Sequence, residues 1–313
     1  MSRHTTRKLI TKTKRAATAA LPVSAGNVWL HELGSRIFGN TRLVRVWLPP
    51  DYDGWGATRY PVLYLNDGQN LFDPATAFVG VHWQVGETAA RLIAEEKIRP
   101  LIIVGIDNTK NRACEYIPYK SKDPRVLNAK GKCYPDFLQR EVMPLIEEHY
   151  SILKGPENTG LGGSSLGGLI TLYTQLAAPG VFGRLLIESP SLFVANRKIL
   201  EASRRFRSWP ARTYLGTGTR EVGHAEKDER MVGDVRELEA ILRESGLDEQ
   251  RLKVRIEEGA AHSETAWAAR FPEALEFLYS DREAPQTADP SLPHPIAPKA
   301  GVLGARVARD DNS

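Results

Sequence analysis

The sequence predicts an α/β fold, a mostly parallel central sheet with helices on both faces. Two observations carry that prediction. Short apolar runs alternate with segments of helical spacing. A Gly-rich turn at residues 160–168 also joins a strand-like run to a helix-like one.

Taken in order, residues 41–48 alternate apolar and polar side chains and are closed by Pro49 and Pro50, which predicts an early, half-exposed strand. Residues 61–65 and 101–106 are nearly continuous apolar runs, the signature of strands buried on both faces. Between them 83–97 has helical spacing, and a second helix is expected over 134–150. A helix over 166–178 follows the Gly-rich turn. Later strands are expected at 184–187, 212–215 and 252–256, with helices at 194–207 and 229–245 between them and a last helix at 264–279.

The chain has 313 residues, 42% hydrophobic and 26% charged, ordinary values for a globular protein with one large core. No apolar run reaches the roughly 20 residues of a membrane-spanning helix. The net charge is +4, but Arg3, Arg7, Lys8, Lys12, Lys14 and Arg15 stand together at the start, and without them the rest carries about −2. The body is therefore not a phosphate-binding surface, and neither a nucleic acid nor a membrane is expected as partner. Residues 1–22 read as a disordered basic arm, and 16–21 are too short and too weakly apolar for a secretory signal. Residues 282–313, with prolines from Pro293 to Pro298, read as a disordered tail, leaving 23–281 as one domain. Cys114 and Cys133 lack metal-ligand spacing and are expected as free thiols in a cytoplasmic protein.

The chemistry concentrates in Gly163-Ser164-Ser165-Leu166-Gly167, a G-x-S-x-G pattern with Ser165 in register. A serine hydroxyl becomes a nucleophile when a neighbouring base takes its proton, and a tight strand-to-helix turn exposes it for attack. Where this elbow occurs in α/β-hydrolases, the acid and then the histidine follow in the chain. His262, in the loop before the last helix, fits the base; His224 lies where the acid is expected. Glu221, just past Gly218-Thr219-Arg220, is the favoured acid, with Asp228 and Glu188 as alternatives. The backbone N–H groups of Leu166 and of Gln69, in Asn66-Asp67-Gly68-Gln69, are candidate oxyanion donors.

Over residues 43–279 these features resemble the esterase family of α/β-hydrolases that includes esterase D, enterochelin esterases, feruloyl and acetylxylan esterases, S-formylglutathione hydrolases and mycobacterial mycolyltransferases. The resemblance rests on Tyr60 through Gly68, Val104-Gly105-Ile106-Asp107-Asn108, Gly163 through Gly168, Gly218-Thr219-Arg220-Glu221, and His262 followed by Trp267 and Phe271-Pro272-Glu273-Ala274-Leu275. It implies an α/β-hydrolase fold and a serine ester hydrolase working through an acyl-enzyme on a small-molecule ester, with feruloyl, acetyl-carbohydrate and siderophore esters as substrate classes. Ser165, His262 and Glu221 would form the triad, and Gln69 and Leu166 the oxyanion hole, with no metal or cofactor. The family often has Asp where Glu221 stands, and His-Gly or His-Asp-Gly where this chain has Asn66-Asp67-Gly68. An acyltransferase using the same triad, or a catalytically silent binding domain, are the alternative readings. Trp83, Asp107, Asn108, Glu115, Tyr116 and Trp267 are the candidate substrate-binding residues.

Overall fold

The structure, a computed structural model, describes residues 21–23, 28–54, 56–120, 126 and 128–280. The arm and tail expected at 1–22 and 282–313 lie outside the described residues, apart from Leu21 and Pro22, which belong to the first strand. The described strands are β1 (Leu21–Val23), β2 (Val28–Ser35), β3 (Asn40–Trp47), β4 (Val62–Asn66), β5 (Ile102–Ile106), β6 (Thr159–Ser164), β7 (Arg184–Glu188), β8 (Arg212–Gly218) and β9 (Leu252–Glu257). They form one sheet in the order β1-β2-β3-β5-β4-β6-β7-β8-β9. From β5 to β9 every pairing is parallel, whereas β1, β2 and β3 add on antiparallel. This is the α/β-hydrolase fold.

Successive side chains of a strand point to opposite faces, so a continuous apolar run feeds two cores at once. In β4, Val62 and Tyr64 enter one core with helices α3 (Tyr134–Phe137), α4 (Met143–His149), α5 (Leu166–Ala177), α6 (Val194–Arg205) and α7 (Ala225–Glu244). Leu63 and Leu65 enter the other, with α1 (Val85–Ala94) and α8 (Glu264–Tyr279). The short α2 (Arg112–Tyr116) follows β5 and sends Tyr116 into the first core. The helix expected over 134–150 is present but passes through a π turn at Leu138–Val142. Pro144 lies just beyond it, and a proline within a helix removes one N–H and crowds the carbonyl four residues back.

Three expectations need correction. The expectations included neither β1 nor β2, and β2 mixes His31, Glu32 and Ser35 into its apolar positions without clean alternation. The first expected strand is found as β3 but is not half-exposed: Val44 and Val46 are buried in one core and Trp47 in the other, because β2 and β5 flank it. Helix α7 starts at Ala225 rather than at 229, which puts Asp228 in its first turn. Neither cysteine forms a disulfide. Among the described residues no helix is long and apolar enough to cross a membrane.

Parallel strands deliver their C-terminal ends, and the loops after them, to one edge of the sheet. One buried ion pair ties that edge together. Arg270 of α8 donates to Glu188, the last residue of β7, at 3.0 and 2.8 Å, and to Glu257, the last residue of β9, at 2.9 Å. The Arg270 and Glu188 side chains are 2% and 1% exposed. Burial pushes the Glu188 carboxyl up to about 7, against the pull of Arg270.

Arg270→Met would strand that carboxylate in the core, and a loss of about 3–5 kcal/mol is expected. A raised folded-state pKa means that stability is present at low pH and lost as pH rises through that pKa. The variant should therefore lose more stability relative to wild type at pH 8 than at pH 5. Urea unfolding at the two pH values measures this, and an equal loss at both would contradict it.

Candidate active site

Ser165 lies at the junction of β6 and α5 with φ 58° and ψ −122°, a conformation that costs a non-glycine residue about 1–3 kcal/mol. Three backbone hydrogen bonds hold it there. Its N–H donates to the Glu188 carbonyl at 2.9 Å, and its carbonyl accepts from Leu169 at 3.1 Å and from Ser191 at 3.1 Å. The flanking glycines permit the turn by close approach. A Cβ on Gly163 would meet Asn66 at 2.9 Å and the Gly167 carbonyl carbon at 3.1 Å, and a Cβ on Gly167 would meet Asp67 Oδ2 at 3.1 Å. Asn66 clamps the same junction: its Nδ2 donates to the Gly167 carbonyl at 3.1 Å and to Thr171 at 3.0 Å, while its Oδ1 accepts from Tyr134 at 2.5 Å.

Glu221 and His262, 41 residues apart, come together through Glu221 Oε2 and His262 Nδ1. The His262 N–H also donates to the Glu221 carbonyl at 3.1 Å. The other carboxylate oxygen, Oε1, accepts from the Gly218 N–H at 2.6 Å, Ser189 Oγ at 2.7 Å and Thr217 Oγ1 at 3.1 Å. Burial alone would raise the Glu221 carboxyl, but the hydrogen bonds from His262, Gly218 and Ser189 outweigh it and hold the group below its ordinary value. An ionised carboxylate only accepts, so the imidazole hydrogen sits on Nδ1 and Nε2 is left able to take a proton. The imidazole is a quarter exposed and meets the Trp267 ring edge-on at 4.9 Å. Helix α8 begins directly after it, with Ser263 accepting from the Ala266 N–H at 3.3 Å as its cap.

Of the alternatives, Glu188 is committed to Arg270. Asp228 accepts the Val222 N–H at 2.7 Å and so braces the loop behind Glu221. His224 is exposed at the start of α7.

Ser165 and His262 are not hydrogen-bonded to each other. The Ser165 hydroxyl lies 3.5 Å from Ser191 Oγ. The end of β7 connects Ser165 to Glu221, since the Glu188 carbonyl holds Ser165 while the next hydroxyl, Ser189, reaches Glu221. The sequence reading missed both Ser189 and Ser191. The signal available was Ser189-Pro190-Ser191 at the end of a strand adjacent to the elbow. Ser189 adopts φ 40° and also accepts the Trp267 indole N–H at 3.0 Å.

The Leu166 and Gln69 N–H groups have no hydrogen-bond partner among the described residues. Gln69 follows Asp67, which has φ 60°, and Gly68, where a Cβ would come within 2.5 Å of the Gly105 backbone. Asp67 accepts a two-pronged ion pair from Arg112 at 2.7 and 2.7 Å and a hydrogen bond from Asn108 Nδ2 at 2.6 Å. The Asn108 N–H donates to the Gln69 side chain at 3.1 Å.

The six candidate substrate-binding residues divide. Trp83, Asp107, Glu115 and Tyr116 are interior groups instead. Trp83 packs on Trp267 at 5.7 Å, Asp107 pairs with Arg45 at 2.7 and 2.9 Å, and Glu115 pairs with Arg42 at 2.8 Å. Tyr116 is fully buried beneath Asp67 and accepts its N–H at 3.4 Å. These polar groups turn inward because each finds a charged or hydrogen-bonding partner there. Asn108 and Trp267 border the site through Gln69 and His262. Among the described residues no cluster of three or more His, Cys, Asp or Glu could hold a metal ion.

The chain is 28% identical over 261 residues to the uncharacterized protein YbbA of Bacillus subtilis, covering 81% of this chain and 96% of that one. Among solved structures it is similar to the BES protein from Bacillus cereus, with TM-score 0.66 and 22% identity over 83% of this chain and 98% of that one. It is also similar to the siderophore hydrolase EstB from Aspergillus nidulans, with TM-score 0.67 and 20% identity over 85% and 100%. The family described as Putative esterase matches residues 35–278. The chain therefore belongs to that esterase family and has the α/β-hydrolase fold.

Proposed function

We propose that the protein hydrolyses carboxylic esters through an acyl-enzyme formed on Ser165, with His262 as base, Glu221 as its acid partner, and the Gln69 and Leu166 N–H groups as oxyanion donors. The observation that carries this reading is the buried, multiply hydrogen-bonded Glu221 carboxylate on His262 Nδ1, at the sheet edge that also holds the strained Ser165. A hydroxyl turned from Ser191 to the imidazole loses its proton to Nε2 as it attacks the carbonyl. Glu221 stabilises the imidazolium, which then protonates the leaving alcohol. Water repeats the cycle to release the acid. Two free N–H donors meet the negative charge that develops on the carbonyl oxygen.

The substrate reading follows from where apolar surface is left uncovered. The large apolar side chains exposed among the described residues are Phe78, Val79, Val81, Phe193 and Val222. All lie in loops that follow β4, β7 and β8, at the edge of the sheet that carries Ser165. Phe193 is two residues from Ser191, Val222 is next to Glu221, and the Phe78 N–H is held by Asn70, beside Gln69, at 3.0 Å. Scattered exposed apolar side chains are unremarkable, but their confinement to one rim marks a binding surface. It favours an ester with a bulky apolar or aromatic group over an acetyl ester.

Ser165→Ala should abolish turnover of p-nitrophenyl butyrate with an unchanged melting temperature, since the exchange removes one hydroxyl and little packing. Glu221→Gln should lower kcat by about 10²- to 10⁴-fold, whereas Asp228→Asn should stay within about 10-fold of wild type. Normal kcat in a folded Glu221→Gln protein would remove Glu221 from the triad.

A comparison of p-nitrophenyl acetate, butyrate and octanoate tests the substrate reading. kcat/KM should rise with chain length, and Phe193→Ser should lower the octanoate-to-acetate ratio by about 10-fold, as expected for loss of one apolar contact. A flat series in wild type would count against the apolar rim while leaving the esterase reading in place.

A further inference from the structure

Asp67 presents a difficulty that the proposed mechanism does not resolve. Its carboxylate is 6% exposed and lies where a Cβ on Gly167 would come within 3.1 Å of Oδ2. Gly167 directly follows Leu166, one proposed oxyanion donor, and Gln69, the other, is two residues from Asp67. An ionised carboxylate this close to the two donors would oppose the oxyanion they have to stabilise. Arg112 meets this carboxylate with the planar fork of its guanidinium, Nε on Oδ1 and Nη2 on Oδ2.

The segment that carries Arg112 is itself anchored by buried charge. Asp107, five residues before it, pairs with Arg45, and Glu115, three residues after it, pairs with Arg42, so two arginines of β3 pin both sides. From the same segment Asn108 holds Asp67 with its side chain and Gln69 with its N–H. The guanidinium rests against the Tyr116 ring at 5.2 Å, and its side chain is 29% exposed.

On the reading of Ser165, Gln69 and Leu166 given above, we propose that Arg112 is a positioning residue for the oxyanion hole. It neutralises and orients the Asp67 carboxylate, which keeps the left-handed turn that aims the Gln69 N–H and keeps negative charge from opposing the transition state. Asp67 is then the harmful group when Arg112 is absent. Removing both should be less damaging than removing Arg112 alone, a pattern that simple loss of a structural contact does not produce.

The test is a double-mutant cycle on p-nitrophenyl butyrate, a neutral ester with no anionic group for Arg112 to bind. Arg112→Gln should lower kcat about 10²-fold with KM changed less than about 3-fold. Asp67→Asn should lose less than about 10-fold, and the double variant should recover to within about 3-fold of Asp67→Asn. Arg112→Lys, which keeps the charge, should retain kcat within about 10-fold and supplies the comparison if Arg112→Gln does not fold. The proposal is overturned by a double variant as slow as Arg112→Gln, by a rise in KM at unchanged kcat, or by an Arg112→Lys loss near 10²-fold. Ser165→Ala is assayed in parallel. If it retains turnover, the reading of the site itself fails. If it is inactive while Arg112→Gln keeps normal kcat, the failure is confined to Arg112.

Discussion

The strained backbone at Ser165 is the constraint around which this structure is arranged. A serine at φ 58° and ψ −122° stays there because the chain on both sides has no cheaper alternative. β6 delivers it at the sheet edge, α5 starts immediately beyond it, the end of β7 holds its N–H, and Ser191 in the loop after β7 and Leu169 of α5 hold its carbonyl. Gly163 and Gly167 allow Asn66 and Asp67 to approach within van der Waals distance. The hydrogen bonds that hold this turn also make the neighbouring strand end part of the candidate site. A displacement of β7 would release Ser165 and would shift Ser189, which holds Glu221.

That dependence gives the buried charges a role. Glu188–Arg270, Glu115–Arg42 and Asp107–Arg45 are buried pairs, and such pairs contribute little net stability over apolar replacements of similar shape. What they contribute here is geometry. Arg270 joins the ends of β7 and β9 to α8, the helix whose first turn follows His262. Arg42 and Arg45 connect the antiparallel side of the sheet to the segment bearing Asn108 and Arg112, and through it to the Gln69 loop. Both sides of the candidate site are thereby referred back to strands in the sheet by directional bonds.

Much of this was legible in the chain because the signals are local. A run such as Val62–Asn66 is apolar at nearly every position, and only a strand covered on both faces needs that. G-x-S-x-G states its own backbone requirement, and the loop before α8 marks itself by lying between a strand-like run and the last helical one. The strands at the antiparallel end of the sheet, β1 and β2, carried no such signal. β2 holds polar residues whose partners lie far away, such as His31 on Tyr150 at 2.6 Å and Ser35 on Glu141 at 2.6 Å.

By itself, then, the sequence determined the α/β class, the order of the central elements and the turn at Ser165, since periodicity and glycine spacing act over a few residues. The tertiary structure decided which polar groups are paired inside and which stay at the surface. Asp107 and Glu115 read as candidate substrate-binding residues until Arg45 and Arg42, more than 60 residues earlier in the chain, are brought beside them. Ser189 and Ser191 gain their contacts only when β7 lies between β6 and β8. Burial of a charge is decided by the partner that packing supplies, and packing joins residues that the chain keeps apart.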